Sequence, residues 1–301
     1  MSAAEGIDEF RFGFVSIVGK PNVGKSTLFN LLVGHRLAIV TPKPQTTRNR
    51  IMGVKNLDRA QIAYFDTPGI YNAGNKLGEF LVKTAVMAVR ETELVYFVTD
   101  PVNPGDAEKV ILETIREQRK PVFLLINKID AVADKTRLLK VTDAYRGLYD
   151  FSEIIPVSAK TGDGIDIVLE RTLQLLPQRP AGFSFDVLTD KFERFMASEI
   201  VREKAMQLTH DELPHAIAVE IVLWKEKPNK LVSIGANIYV EKDSQKGIII
   251  GKRGTLLKEI GSKARVEIED MLGTKVYLEL LVKVRGKWTK DVNMLRELGY
   301  N

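Results

Sequence analysis

Eight residues near the start of the chain, GKPNVGKS from Gly19 to Ser26, combine two glycines with a closing lysine and hydroxyl in the pattern G-x-x-x-x-G-K-S. The chemistry of that pattern is the gripping of phosphate. Gly19 and Gly24 let the backbone curl so that successive N–H groups point inward at phosphate oxygens, and a helix beginning just after them adds its partial positive charge. Lys25 is expected to reach the β- and γ-phosphates and Ser26 to ligate Mg²⁺. Lys20, Pro21, Asn22 and Val23 form the crest of the loop, and Thr27 completes the expected contact set.

A phosphate loop does not identify the base, so the remaining signals must come from elsewhere. Asp66, Thr67, Pro68 and Gly69 form a DTPG run at the end of an apolar stretch. From that position a carboxylate can hold Mg²⁺ through water, while Gly69 offers its N–H to a γ-phosphate. Asn127, Lys128 and Asp130 belong to NKID, at the end of another such stretch. A carboxylate aimed at the base accepts from the ring N–H and exocyclic amine of guanine. Adenine lacks that pair of donors, and a site built for hydrogen bonds discriminates by about 10⁴ to 10⁵. Asn127 and Lys128 would brace the base and the loop, and Ser158, Ala159 and Lys160 would bring backbone N–H groups to guanine O6. Taken alone, NKID reads equally well as a strand end with a turn, and SAK carries almost no signal. In this order, each at the carboxyl end of a strand where open α/β sheets bind ligands, the set resembles the translation-factor-like GTPase family.

That resemblance carries further implications. The run TPKPQTTRNR, otherwise a proline-stiffened surface loop, corresponds to the first switch, with Gln45, Thr46, Thr47, Arg48 and Asn49 at its centre. Thr47, with Thr46 as second choice, would complete the Mg²⁺ shell while a γ-phosphate is present. Ile70 stands where Ras-type enzymes place a water-orienting glutamine, so slow unaided turnover is expected. In GTPases with a similar PNxGKS loop the asparagine helps hold a monovalent cation. Asn22 is therefore expected to assist catalysis with K⁺, beside Lys25 and Gly69.

A second glycine loop, GKRG, spans Gly251, Lys252, Arg253 and Gly254 and lacks both the four-residue gap and the terminal Lys-Ser. It has no hydroxyl for Mg²⁺ and is no second nucleotide pocket. In isolation it is an ordinary turn between helices. Following two strand-like runs and a short helix, preceding a long helix and a third strand, and with both middle residues basic, it resembles the type II KH fold. Such a loop lets single-stranded nucleic acid approach closely. Lys258, on the long helix, joins the expected RNA contacts, with Lys263 and Arg265 as weaker candidates or a merely solvated face. Trp288, between Lys287 and Lys290, invites a base-stacking role, although a lone tryptophan near a strand end is more often packing.

These residues need a scaffold to place them. Apolar runs at 12–19, 61–67, 93–100, 121–128 and 153–159 alternate with helical patterns at 76–90, 105–118, 134–149 and 164–176. Alternation of this kind predicts an α/β domain, a mostly parallel sheet with helices on both faces, over residues 1–176. Residues 177–185, proline- and glycine-containing, read as a linker. From 186 to 301 the order becomes helix (190–208), strands (216–226 and 230–241), helices (244–250 and 254–272) and strand (275–284), which is a separate α+β domain.

Composition narrows the class. The 301 residues are 45% apolar and 28% charged, as in a globular protein. The absence of cysteine excludes a disulfide scaffold, a thiolate metal site and a cysteine nucleophile. The net charge of +5 is modest, but residues 242–265 hold seven basic against two acidic side chains and 283–290 hold four against none. Those stretches are the candidate polyanion surface. The N-terminal run MSAAEGIDEF is acidic where a secretory signal would be basic, so export and membrane insertion are not expected.

With GKPNVGKST, PQTTR, DTPG, NKID, SAK and GKRG in that order, essentially the whole chain resembles the Era family of bacterial GTPases. The resemblance implies a monomeric, cytoplasmic GTP-hydrolysing switch with GTP, GDP and Mg²⁺ as ligands. It also implies binding of single-stranded RNA near the 3′ end of small-subunit ribosomal RNA, a part in 30S subunit maturation, and peripheral contact with the inner membrane. Ordering of the loops at 41–50 and 66–80 by the γ-phosphate, with glycines 69, 74 and 78 as hinges, is the expected switch. Two other readings remain: an RNA-binding scaffold with a weak or vestigial GTPase, which Ile70 permits, and a metabolic phosphotransferase, for which no acceptor site is visible.

Overall fold

The computed structural model describes residues 10–70, 75–228 and 230–300. Gly74, expected as a hinge, lies outside them. The chain divides into two compact units. One comprises the described residues of Met1–Ala38, Thr47–Ala73 and Gly78–Asp190, the other those of Ile39–Thr46, Gly74–Leu77 and Lys191–Asn301.

The first unit is built on a six-stranded sheet in the order β2-β3-β1-β4-β5-β6. The strands are β1 (Arg11–Val18), β2 (Ile51–Leu57), β3 (Ala60–Asp66), β4 (Leu94–Thr99), β5 (Val122–Ile126) and β6 (Glu153–Pro156). All pairings are parallel except β2 with β3, which is an antiparallel edge hairpin. The sequence reading did not anticipate β2. IMGVKNL has no clean alternation and follows directly on a polar loop, so only the tight turn at Asp58 and Arg59 reveals it.

Five helices flank this sheet: α1 (Lys25–Val33), α2 (Lys76–Arg90), α3 (Asp106–Arg116), α4 (Thr136–Arg146) and α5 (Ile165–Leu175). Successive side chains of a strand face opposite ways, and β4 shows where the helices go. Val95 and Phe97 pack with Ala85 of α2, Ile111 of α3 and Val141 of α4. Tyr96, between them, points to the other face, where its hydroxyl bonds Thr172 of α5. Both faces are therefore covered, which is why the central strands read as unbroken apolar runs.

Residues 177–190 are tied along this unit. Arg179 N donates to Phe10 O at 2.9 Å, and Phe183 N to Gln61 Oε1 at 2.9 Å. Val54 N donates to Leu188 O at 2.9 Å. Phe183 joins Phe12, Phe14 and Phe65 in an aromatic cluster.

The second unit contains a three-stranded sheet of β7 (Ala218–Glu226), β8 (Val232–Val240) and β9 (Val276–Val284), with β8 central. β7 runs antiparallel to β8, and β9 parallel to it. Helices α6 (Glu193–Gln207), α7 (Asp243–Ile250) and α8 (Thr255–Leu272) supply the other layer. Val201, Ile249, Ile260, Ala264 and Ile268 pack with Ile234 and Ile238 of β8 in one core. The helix-strand-strand-helix-helix-strand order agrees with the expected second domain. A short closing helix, α9 (Val292–Glu297), was not anticipated. Asp291 caps it, accepting from Asn293 N and Met294 N.

Candidate nucleotide and RNA sites

The phosphate loop lies between β1 and α1, and its glycines are dictated by space as much as by conformation. A Cβ on Gly19 would stand 2.2 Å from the Val98 carbonyl oxygen of the neighbouring strand. Gly24, at φ 95°, has Asn127 Nδ2 2.3 Å from where its Cβ would be. Between them Asn22 also adopts a left-handed conformation, φ 64°. Lys25 is buried, and its ammonium donates to the carbonyls of Gly19 at 3.2 Å and Lys20 at 2.7 Å. Burial draws its pKa down to about 8, against the pull of Asp66 and Asp100.

Three residues far apart in sequence meet at the first turn of α1. Ser26 Oγ donates to Asp66 Oδ2 at 2.7 Å, and Thr47 Oγ1 donates to the same oxygen at 3.1 Å. The two hydroxyls lie 2.8 Å apart. Asp66 is completely buried, and burial pushes its pKa up to about 6 despite these bonds and the nearby Lys25. Its second oxygen, Oδ1, is buried without a hydrogen-bond partner among the described residues. An orphaned carboxylate oxygen beside two hydroxyls suits a hard cation that takes oxygen ligands, as Mg²⁺ does. Thr46, the second choice for this shell, is turned elsewhere. Its hydroxyl bonds Thr41 Oγ1 at 2.7 Å and Lys43 O at 2.6 Å. Gln45 has φ 60°, Arg48 is buried and Asn49 is half-buried.

The DTPG run abuts the loop. Thr67 Oγ1 donates to Ile17 O at 2.7 Å, anchoring the end of β3 to β1. A Cβ on Gly69 would fall 2.7 Å from Pro21 N, and Ile70 N donates to Gly19 O at 3.2 Å. Ile70 is buried among Val18, Ala85 and Phe97, so its side chain serves the core.

The base motif joins the loop to SAK. Asn127 Nδ2 donates to Val23 O at 2.8 Å, while its Oδ1 accepts from Ala159 N at 2.9 Å. Lys128 Nζ donates to Asn22 O at 2.7 Å and pairs with Asp100 at 2.8 Å. Asp130 is exposed, and Ser158 Oγ donates to its Oδ1 at 2.7 Å, while Lys160 is exposed at the edge. Asp100 and Glu108, which pair with Lys128 and Lys20, escaped the sequence reading. The only signal for Asp100 was its place at a strand carboxyl end.

In the second unit, Gly251 at φ 73° would put a Cβ 2.8 Å from Leu256 Cβ. Arg253 and Gly254 are left-handed as well, φ 54° and 78°, so the loop turns sharply with Lys252 and Arg253 exposed. Beside it lies a groove of about 470 Å³ between α8 and β9. Its floor is Leu257, Leu278 and Leu280, and its rim includes Gly254, Lys258 and Arg265. Gly261 keeps the groove open, since a Cβ there would reach Leu280 Cδ1 at 3.3 Å. Lys263 pairs with Glu259 at 2.8 Å and is not among the lining residues. Trp288 is fully buried, donates from Nε1 to Ala216 O at 3.0 Å and stacks on Tyr300, which is packing.

Two family models match separate parts of the chain. Residues 14–128 match the family model described as 50S ribosome-binding GTPase, and residues 212–289 match the KH domain model. GTPase Era of Geobacter metallireducens is 52% identical over 293 residues, 97% of this chain and 98% of that protein. The chain belongs to the GTPase Era family.

GTPase Era of Ruminiclostridium cellulolyticum is 46% identical, with 97% and 98% covered. A crystal structure of Era in complex with MgGDPNP and nucleotides 1506–1542 of 16S ribosomal RNA superimposes with a TM-score of 0.94 at 41% identity, covering 97% of this chain and 99% of that one. An Aquifex aeolicus Era variant bound to GDP and AlF4⁻ matches with a TM-score of 0.94 at 40% identity over the same shares. As an Era-family member with this GTPase domain, the chain is a GTPase with a C-terminal KH domain. Among the described residues, no helix is long and apolar enough to cross a membrane.

Proposed function

We propose that the chain is a cytoplasmic GTP switch whose KH domain takes single-stranded RNA from the 3′ end region of small-subunit ribosomal RNA during 30S subunit maturation. The observation that carries the nucleotide half is the meeting of Ser26, Thr47 and Asp66 around the orphaned Oδ1 of Asp66. These three residues would hold Mg²⁺, which when bound neutralises charge on the β- and γ-phosphates. Lys25, now bonded to loop carbonyls, turns to the phosphate oxygens, and the N–H groups from Asn22 to Ser26 and of Gly69 fix their positions. Asp130 accepts from the guanine edge, with Asn127 locking the loop to Ala159 and so to the O6 side. Thr47 would complete that Mg²⁺ shell, because its hydroxyl lies within hydrogen-bond distance of both Ser26 and Asp66.

The RNA half rests on the Gly251–Gly254 turn, its two exposed basic side chains and the apolar groove beside it. A groove with leucines below and Lys258 and Arg265 at the rim can stack bases and hold their phosphates. The relative crystallised with 16S ribosomal RNA makes the 3′ end of that molecule the natural RNA to test. Ile70 offers no hydrogen bond to water, so turnover without RNA is slow. Peripheral membrane contact, implied by family membership, would use a surface and is tested by vesicle flotation.

Multiple-turnover GTP hydrolysis, measured with and without an oligonucleotide copying the 3′ end of small-subunit ribosomal RNA, tests the whole reading. Stimulation by that strand, and not by a scrambled one, is expected. Turnover indifferent to both would favour the scaffold reading, which the core-facing Ile70 permits.

A further inference from the structure

The crest of the phosphate loop is tied down by a buried carboxylate that lies outside every nucleotide motif. Glu108, in the first turn of α3, is 2% exposed. One of its oxygens, Oε2, accepts from Gly105 N at 3.0 Å and so closes the start of the helix. The other, Oε1, is ion-paired with the ammonium of Lys20. The Lys20 carbonyl in turn accepts from Lys25 Nζ. A single carboxylate thus links the start of α3 to the residue whose main chain holds the phosphate-gripping lysine.

We propose that Glu108 is a positioning residue for nucleotide binding, fixing the loop crest through the side chain of Lys20. A capped helix needs only a hydrogen-bond acceptor at this position, which glutamine supplies. With Glu108 buried and Lys20 half-buried, the pair is a poor way to gain stability, since desolvation of the carboxylate offsets much of the attraction. Geometry is the better account. The crest passes through the left-handed Asn22, and its carbonyls at 20 and 22 are held by Lys25 and Lys128. Glu108 fixes the Lys20 end of that span, as the pair of Lys128 with Asp100 fixes the other. It also gives the Lys20 ammonium a partner away from the phosphates, leaving Lys25 as the cation that meets them.

The inference rests on reading residues 19–26 as the nucleotide cradle, and the test separates the two. In the 301-residue chain, GDP and GTP affinities and release rates are measured for wild type, Glu108→Gln, Lys20→Met, Lys20→Arg and the Glu108→Gln/Lys20→Met double variant. Glu108→Gln keeps the cap and loses the charge. It is expected to weaken both nucleotides about tenfold, mainly through faster release, and to raise KM far more than it lowers kcat; tenfold lies within the range of coupled contacts. Lys20→Met should do the same, the double variant no more than either alone, and Lys20→Arg should retain affinity.

Wild-type affinity in Glu108→Gln, or additive losses in the double variant, would overturn the inference. Absence of GDP binding by the wild type would instead overturn the cradle reading. Should Glu108→Gln fail to fold, the lysine pair decides: loss with methionine and retention with arginine supports the contact, and equal loss refutes it.

Discussion

Thr47 Oγ1 donates to Asp66 Oδ2 at 3.1 Å, while the hydroxyl of Thr46, one residue earlier, is spent on Thr41 and Lys43. Adjacent threonines with identical chemistry therefore have different tasks. Thr47→Ala should lower affinity for GTP relative to GDP by about tenfold or more, since hydrogen bonds to charged groups contribute roughly 1.5 to 3 kcal/mol. Thr46→Ala should shift that ratio far less. Competition binding of the two nucleotides with Mg²⁺ present checks both, and equal effects would remove Thr47 from the proposed shell.

The buried charges of the site should leave a signature in the nucleotide-free chain. Asp66 has its pKa raised from 3.8 to about 6, so between those values the folded state holds a proton that the unfolded chain has lost. Stability then falls as pH rises through that window and levels off above it. Lys25 has its pKa lowered from 10.5 to about 8, so the unfolded chain holds the extra proton between those values. Stability there rises with pH. Thermal denaturation as a function of pH, comparing wild type with Asp66→Asn and Lys25→Met, should show each variant losing the slope of its own window. In the proposed cradle both groups act in their charged forms, so nucleotide affinity should decline below about pH 6 and above about pH 8.

Asp130 is the exposed acceptor of the base motif, steadied by Ser158. Asp130→Asn replaces one acceptor oxygen with a donor amide facing the exocyclic amine of guanine. GTP affinity should drop by about 10² or more, within the discrimination that unpaired polar groups impose. Xanthosine triphosphate, which carries a carbonyl in place of that amine, should recover much of it. A titration with both triphosphates reads the swap directly, and an unaffected GTP affinity would detach Asp130 from the base.

The Gly251–Gly254 turn should act on RNA through charge without reading its sequence. Lys252→Ala and Arg253→Ala are each expected to weaken all single-stranded RNAs alike and to flatten the dependence of log K on log salt by about 0.7, the single-strand value per phosphate contact. Gly251→Ala should cost more, because a Cβ would meet Leu256 at 2.8 Å in a left-handed backbone. Salt-dependent fluorescence binding checks all three; a variant that changes sequence preference and keeps the salt slope would contradict the assignment.

What could be read from sequence here was whatever local spacing encodes. GKPNVGKS, DTPG, NKID and SAK fell at strand ends because apolar runs announce the strands that carry them. β2 stayed hidden because IMGVKNL lacks a clean alternation and follows directly on a polar loop, although its first four residues are buried. Glu108 was invisible for a different reason. In sequence it is one acid in an amphipathic helix, and only the fold brings Lys20 to it. Arg265 lines the groove beside the Gly251–Gly254 turn while Lys263 pairs with Glu259, a difference set by which side of α8 meets β9.

The role expected for Asn22 can be tested in a way that separates its side chain from its backbone. Asn22 sits at φ 64°, a conformation that costs most residues about 1 to 2 kcal/mol and costs glycine almost nothing. Its carbonyl is held by Lys128, a contact any residue at this position preserves. Asn22→Gly therefore removes the amide without straining the loop, whereas Asn22→Ala does both. If the amide helps hold a monovalent cation, hydrolysis by the wild type should be faster in K⁺ than in Na⁺ and Asn22→Gly should abolish that difference. Asn22→Ala should lose it too and bind nucleotide more weakly as well. Equal wild-type rates in the two salts, or a K⁺ preference that survives in Asn22→Gly, would leave Asn22 with only a backbone role at the crest of the loop.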